Sequence, residues 1–214
     1  MTPETSTREL IVRAADDLYY RRGFEGTSFA DIADVVGISR GNFYHHFKTK
    51  DDILSAVVAL RSARTKEMLD KWARDANTPV ARLRCFARML IDNRKEIQRY
   101  GCPVGTLCSE LSKLDHPSQG AAGMIVGQFR SWLREQFESM GRRAEADALS
   151  MHLLARSQGV AALATAFRDD AFIRREVDLI GAWLDGLDRA SGKSRSRQPL
   201  RRSRPTLGQP RTTA

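Results

Sequence analysis

Apolar residues recur at three- and four-residue steps along most of the chain, a period that belongs to helices and not to strands. That period and the residues that punctuate it predict about nine helices. The first starts at Ser6, where Glu9 three positions later completes a capping box; it buries Leu10, Ile11, Ala14, Leu18 and Tyr19 and ends near Arg22. Thr27 and Ser39 cap two short helices, and Thr49, supported by Asp52, opens a long fourth helix to about Arg74. Thr78-Pro79 begins a fifth, to about Arg99, because proline suits the first helical position. The break at Gly101-Cys102-Pro103 starts a short sixth that ends near Lys113. Pro117 permits a seventh to about Met140, and Arg143 or Ala144 begins an eighth. The ninth, from about Asp170 to Asp188, places Ile173, Val177, Ile180, Leu184 and Leu187 on one stripe, which needs a partner surface. The expected fold class is all-α.

The segment from Thr27 to Lys50 is the most informative. Ala33 falls inside one short helix, Gly37 at the turn, and Phe43 inside the next helix. These are a small residue where helices cross, a glycine free to take positive φ, and an apolar plug that fixes the crossing. The arrangement is a helix-turn-helix, whose second helix enters the DNA major groove. That helix opens at Ser39. On it, Arg40 can donate two hydrogen bonds to guanine, and Asn42 can offer a donor and an acceptor to adenine. Thr27 and Lys50, each at a helix N-terminus, suit phosphate. Phe43 and Phe47 are expected in the core and His46 at a domain seam. His45-His46 is no metal pair, because adjacent helical residues point apart.

The residues Gly23-Phe24, Thr27-Ser28, Asp31-Ile32-Ala33, Gly37-Ile38-Ser39, Gly41, Phe43-Tyr44-His45-His46-Phe47 and Lys50 resemble the N-terminal domain of the TetR/AcrR family of bacterial transcriptional repressors. The resemblance covers the first quarter of the chain. It implies that Tyr44 and His45 meet the sugar-phosphate backbone of double-stranded DNA. It also implies a C-terminal helical domain for ligand binding and dimerisation. Trp72, Phe86, Met89, Phe129, Trp132 and Phe137 lie on the helices that form an effector pocket in this family. No charged residue stands out as a selector for that pocket. A two-fold homodimer through the expected eighth and ninth helices is implied as well, and Gly159, Ala161, Ala162 and Ala166 would allow their close approach.

A second segment, Tyr100 to Leu111, carries candidate chemistry. With Pro103 at a first helical position, Cys102 stands at the cap, where free amides favour thiolate over thiol. The Gly101-Cys102 start, followed by Gly105 and Glu110, resembles the branch that includes repressors of N-ethylmaleimide reductase and of acrylate metabolism, some of which respond to electrophiles. The resemblance implies that Cys102 reacts with, or sits beside, a small electrophilic or redox-active effector. The plainer alternative is a small buried residue at a helix start. Cys108 is expected in the core.

Net charge changes the picture less than its size suggests. Of the total of +9, the stretch from Arg189 to Ala214 supplies +8, with no acid, which leaves +1 for residues 1–188. That basic, Ser- and Pro-rich stretch reads as a disordered tail. It is either merely solvated or a source of non-specific attraction to phosphates. The three cysteines, Cys85, Cys102 and Cys108, show no disulfide-scaffold pattern, which fits a reducing compartment. No apolar run approaches a membrane span, so the expectation is a cytoplasmic protein with no membrane partner. No nucleophile–base set, phosphate-binding glycine loop or metal cluster points to an enzyme or a cofactor.

The expected organisation is a DNA-binding domain over residues 1–50, an effector-binding and dimerisation domain over 51–188, and the tail over 189–214. The expected function is a dimeric repressor of transcription, released by a ligand or electrophile of unknown identity. The alternatives are a sequence-neutral architectural DNA binder that uses the tail, and an activator on the same fold.

Overall fold

Side chains that cap the orphan amides decide where most helices begin. The computed structural model describes residues 6–196, with side chains to Ala190. Among these residues the order is α1 (Thr7–Arg22), α2 (Phe29–Val36), α3 (Arg40–His46), α4 (Lys50–Asp75), α5 (Pro79–Asp92), α6 (Arg94–Tyr100), α7 (Pro103–Lys113), α8 (Gln119–Ser139), α9 (Ala146–Phe167) and α10 (Asp170–Ser196). The fold is all-α. Ser6 with Glu9 and Thr49 with Asp52 form reciprocal capping boxes, and Thr78 caps α5 ahead of Pro79, as their spacing predicts.

Four expectations about the elements are corrected. Ser28, not Thr27, caps α2, in a box with Asp31; the Thr27 side chain turns inward and its hydroxyl donates to the Gly23 carbonyl at 2.7 Å. The helix expected over 78–99 is two helices. They are broken at Asn93, whose side-chain amide donates to the Met89 carbonyl at 2.9 Å and so offers the chain a local alternative to the helical ladder. The eighth expected helix starts at Ala146, later than Arg143 or Ala144. The last helix runs past Asp188 to Ser196, so residues 189–196 are helical; the remainder of the expected tail, 197–214, lies outside the described residues.

The first three helices and the start of α4 share a small core of Ile11, Ala15, Leu18, Ile32, Ala33, Phe43, Phe47, Ile53, Leu54 and Val57. Leu10, expected inside, is 44% exposed, because the buried face of α1 is turned toward Ile11, Val12 and Ala15. α4 leaves this head and crosses α8 in the body, where α8 lies along α9 and α5 along α10. The stripe that needed a partner surface is the inner face of α10. Ile173, Ile180 and Leu184 are fully buried within their own chain, and so is Ala161 on α9. Burial of each large side chain contributes about 1.5–3 kcal/mol, which selects that orientation. The apolar residues left uncovered lie on the opposite faces: Met151, Leu163 and Phe167 on α9 and Leu179 on α10. Ala155, Gly159, Ala162 and Ala166 alternate with them on α9, and Ala182 and Gly186 do so on α10. Among the described residues, no helix is long and apolar enough to cross a membrane.

Candidate nucleic-acid interface and effector cavity

The candidate reading surface is built on α3. Gly37 ends α2 in the left-handed region at φ +73°, and its amide donates to the Ala33 and Asp34 carbonyls. A Cβ there would meet nothing within 4 Å, so the turn demands glycine for its backbone angle and not for space. The chain then turns into Ser39, whose hydroxyl accepts the Asn42 amide at 3.3 Å. Phe43 and Phe47 point inward, as expected; Phe29 packs 5.2 Å from Phe43, and the Arg8 guanidinium lies 4.7 Å over Phe47.

With that face committed to the core, Ser39, Arg40, Asn42, Tyr44 and His45 are all left exposed. Helical geometry puts His45 opposite the buried phenylalanines. Arg40 and Tyr44 share the flank nearest α2, where they line a shallow hollow with Ser28, Phe29 and Ala30. No acid lies on α3. A second hollow runs along Glu25–Phe29 and reaches Asp31 and Lys50. Lys50 is tied to it: the ammonium donates to the Glu25 carbonyl at 3.2 Å and sits 4.3 Å over the Phe24 ring. His46 is half-buried beside His45. The Ser28 hydroxyl, with the Ser28 amide, holds the Asp31 carboxyl below the ordinary carboxylate range, and Thr49 does the same to Asp52.

The cavity expected to take an effector lies in the body. It has a volume of about 400 Å³ and is walled by α1 and α4–α9. Of the residues expected there, Phe86, Met89, Cys102 and Phe129 line it. Trp72 and Trp132 do not: they stack on one another at 5.7 Å where α4 crosses α8, and Phe137 packs against Trp183. The expectation of a cavity without a charged selector is also corrected, because Arg64 and Glu96 border it, together with the polar groups of Tyr20, Asn93, Ser157 and Gln158. Cys102 caps α7 as expected. Its sulfur accepts the Gly105 amide at 3.4 Å and the Gln158 side-chain amide at 3.5 Å. Gly105 leaves room for the Gln158 side chain in this position, since a Cβ would stand 2.4 Å from its oxygen and push it aside. Cys108 is half-buried rather than part of the inner core; burial, helped by the neighbouring Cys102, pushes its thiol up and keeps it protonated. Among the described residues, no group of three His, Cys, Asp or Glu could hold a metal ion.

Head and body are joined by contacts that no local pattern announces. The buried Arg61 guanidinium on α4 donates to the Asp16 carboxylate at 2.6 Å, to the Asp16 carbonyl, and to the Pro103 carbonyl at 2.5 Å. Arg64 takes the other Asp16 oxygen at 2.7 Å. The Tyr20 hydroxyl, kept protonated above all by burial, donates to the Gly101 carbonyl at 2.7 Å. At the far end of α7, the Glu110 carboxylate accepts the Phe24 and Glu25 amides, each at 2.9 Å. Gly23 makes room for it: a Cβ there would lie 2.8 Å from a Glu110 oxygen. α7 thus meets the cavity at its first turn and the head at both ends.

The chain is similar to known proteins. Residues 11–57 match the family described as bacterial regulatory proteins, tetR family. An uncharacterised HTH-type transcriptional regulator of Lactococcus lactis subsp. lactis is 27% identical over 179 residues, which span 82% of this chain and 91% of that protein. The HTH-type transcriptional repressor DhaR of Mycobacterium sp. (strain GP1) is 24% identical, over 72% of this chain and 80% of its own. Among solved structures, a TetR-family transcriptional regulator from Streptomyces coelicolor shares the fold with a TM-score of 0.74 at 19% identity, covering 86% of this chain and 95% of that one.

Proposed function

This chain belongs to the tetR family of bacterial regulatory proteins and is a DNA-binding regulator of transcription, not an enzyme; on that premise we propose that it is a homodimeric repressor which leaves a near-palindromic operator when a small molecule occupies its cavity. The observation that carries this reading is the division of α3 into a face sealed by Phe43 and Phe47 and an acid-free face of exposed polar groups. Arg40 and Asn42 read base edges, while Ser39, Tyr44, His45 and Lys50 hold the backbone and set register. Thr27 does not take the phosphate role expected of it, because its side chain is buried and its hydroxyl and amide are both bonded within its loop.

The uncovered faces of α9 and α10 pair two copies, so that the heads stand about 34–36 Å apart and meet successive major grooves. Occupancy of the cavity favours a state with the heads wrongly spaced. α4 and α7 carry that change, since both touch cavity and head. A hundredfold loss of operator affinity requires a coupling of about 2.7 kcal/mol, which is within the usual range. An electrophile can act at the same place: a group added to Cys102 would disrupt the bonds from Gly105 and Gln158 that fix the start of α7. Such a regulator works in the cytoplasm, beside the DNA it reads.

The test is Arg40→Ala in anisotropy titrations against the promoter DNA of the gene and of its neighbours. Affinity is expected to fall by a factor equivalent to about 1–3 kcal/mol, with relaxed preference at one base position. Unchanged affinity and an unchanged sequence profile would refute the assignment.

A further inference from the structure

The cavity has one cation on its wall among the described residues, and that cation is engaged in a way that a ligand could exploit. Arg64 stands where the inner cavity meets an outer cleft, the two hollows sharing Tyr20, Arg64, Thr65, Pro103 and Val104. The cleft adds Arg13, Asp16, Asp17 and Arg61. Asp17 is already paired with Arg21 at 2.9 Å. Asp16 holds two arginines at once, Arg61 at 2.6 Å and Arg64 at 2.7 Å. Arg61 is 7% exposed and bonded three ways, so it is fixed; Arg64 is 52% exposed and, among the described residues, bonded only to Asp16. If Arg64 turned to another carboxylate, Asp16 would remain paired with Arg61, and no buried charge would be stranded.

The inner wall has a different character. Phe86 and Phe129 meet edge to face at 5.7 Å, and Met68 and Met89 stand beside them. Thioethers and ring edges favour an aromatic guest, and methionine adapts to its shape. We infer that the cavity takes a small aromatic carboxylic acid, its ring between Phe86, Phe129 and the two methionines and its carboxylate on Arg64 in place of Asp16. Glu96, the one acid on the cavity wall, opposes the ligand's charge and keeps its affinity moderate. Capture of Arg64 removes one of the two side-chain ties between α4 and Asp16 of α1, and this links occupancy to the head.

The inference rests on the reading of the cavity as the effector site, and one set of measurements separates the two. The full chain, without DNA, is titrated calorimetrically with benzoate, phenylacetate, 3-phenylpropionate and 2-naphthoate and with the corresponding primary amides. At least one acid is expected to bind saturably, with its amide at least tenfold weaker, a difference of about 1.4 kcal/mol. Arg64→Gln should weaken the acid to the level of the amide, and Glu96→Gln should tighten it. Absence of saturable binding by every acid, equal binding of acid and amide, or full binding by Arg64→Gln overturns the assignment. The same acid is then added to the protein–operator complex. Arg64-dependent binding that leaves the DNA bound overturns the effector reading and leaves the ligand class standing.

Discussion

Removal of the Glu110 carboxylate tests whether α7 holds the reading head. The two Glu110 oxygens accept the amides of Phe24 and Glu25, in the loop between α1 and α2. Hydrogen bonds to a charged group contribute about 1.5–3 kcal/mol each when shielded. The Phe24 bond is partly buried and takes a value near the lower end of that range. The Glu25 bond is exposed, and solvent reduces it to about 0.5–1 kcal/mol. Glu110→Ala should therefore cost about 2–3 kcal/mol. For a chain of 214 residues this lowers the melting temperature by roughly 5–10 °C.

The loss should be local before it is global. Exchange of the Phe24 and Glu25 amides, followed by NMR, is expected to accelerate by roughly 30- to 150-fold, the same free energy expressed as an opening equilibrium. Glu110→Gln, with one acceptor oxygen in place of two, should lie between the alanine variant and the wild type. Operator affinity should fall along the same series, because a loosened head must be ordered again on DNA. A Glu110→Ala variant within about 0.5 kcal/mol of the wild type in denaturant titration, with both amides still protected, would show that α7 does not hold the head.

Three further outcomes are expected. Cys102→Ser should keep operator affinity and lose release by N-ethylmaleimide; a variant that still leaves the DNA on treatment removes the thiol from the sensing step. Leu179→Arg, on the uncovered face of α10, should shift sedimentation from dimer to monomer and weaken operator binding, whereas an intact dimer would move the interface elsewhere. Asp31 and Asp52 have folded-state values below the ordinary range, so the stability they contribute is present above the unfolded carboxylate value of about 3.9 and is lost as pH falls through the lowered folded value. Between pH 6 and pH 3 the wild type should accordingly lose more stability than Asp31→Asn, and equal slopes would mean that the α2 cap is not the titrating device.

The sequence alone determined the features that act over a few residues. Capping boxes at Ser6 and Thr49, the Thr78-Pro79 start, the Cys102 cap and the left-handed Gly37 are all decided by neighbours within one helical turn, where bonding is local. The exposed set on α3 was legible for the same reason, since Phe43 on that short helix and Phe47 just past its end commit one face to the core. Thr27 misled because Ser28 beside it is an equal candidate for a cap, and only the carbonyl of Gly23 draws the threonine inward.

Choices among faces and partners belonged to the tertiary structure. The stripe from Ile173 to Leu187 announced that α10 buries one side, but not whether α5 or a second subunit covers it. Trp72 and Trp132 were as plausible in a cavity wall as Phe86 and Phe129, until the crossing of α4 and α8 paired them. Asp16 with Arg61, and Glu110 with the loop after α1, join residues 45 and 85–86 positions apart. No periodicity relates positions so distant. Those contacts exist because packing the shared core brings the head and the body together, and they join the wall of the cavity to the helices of the head.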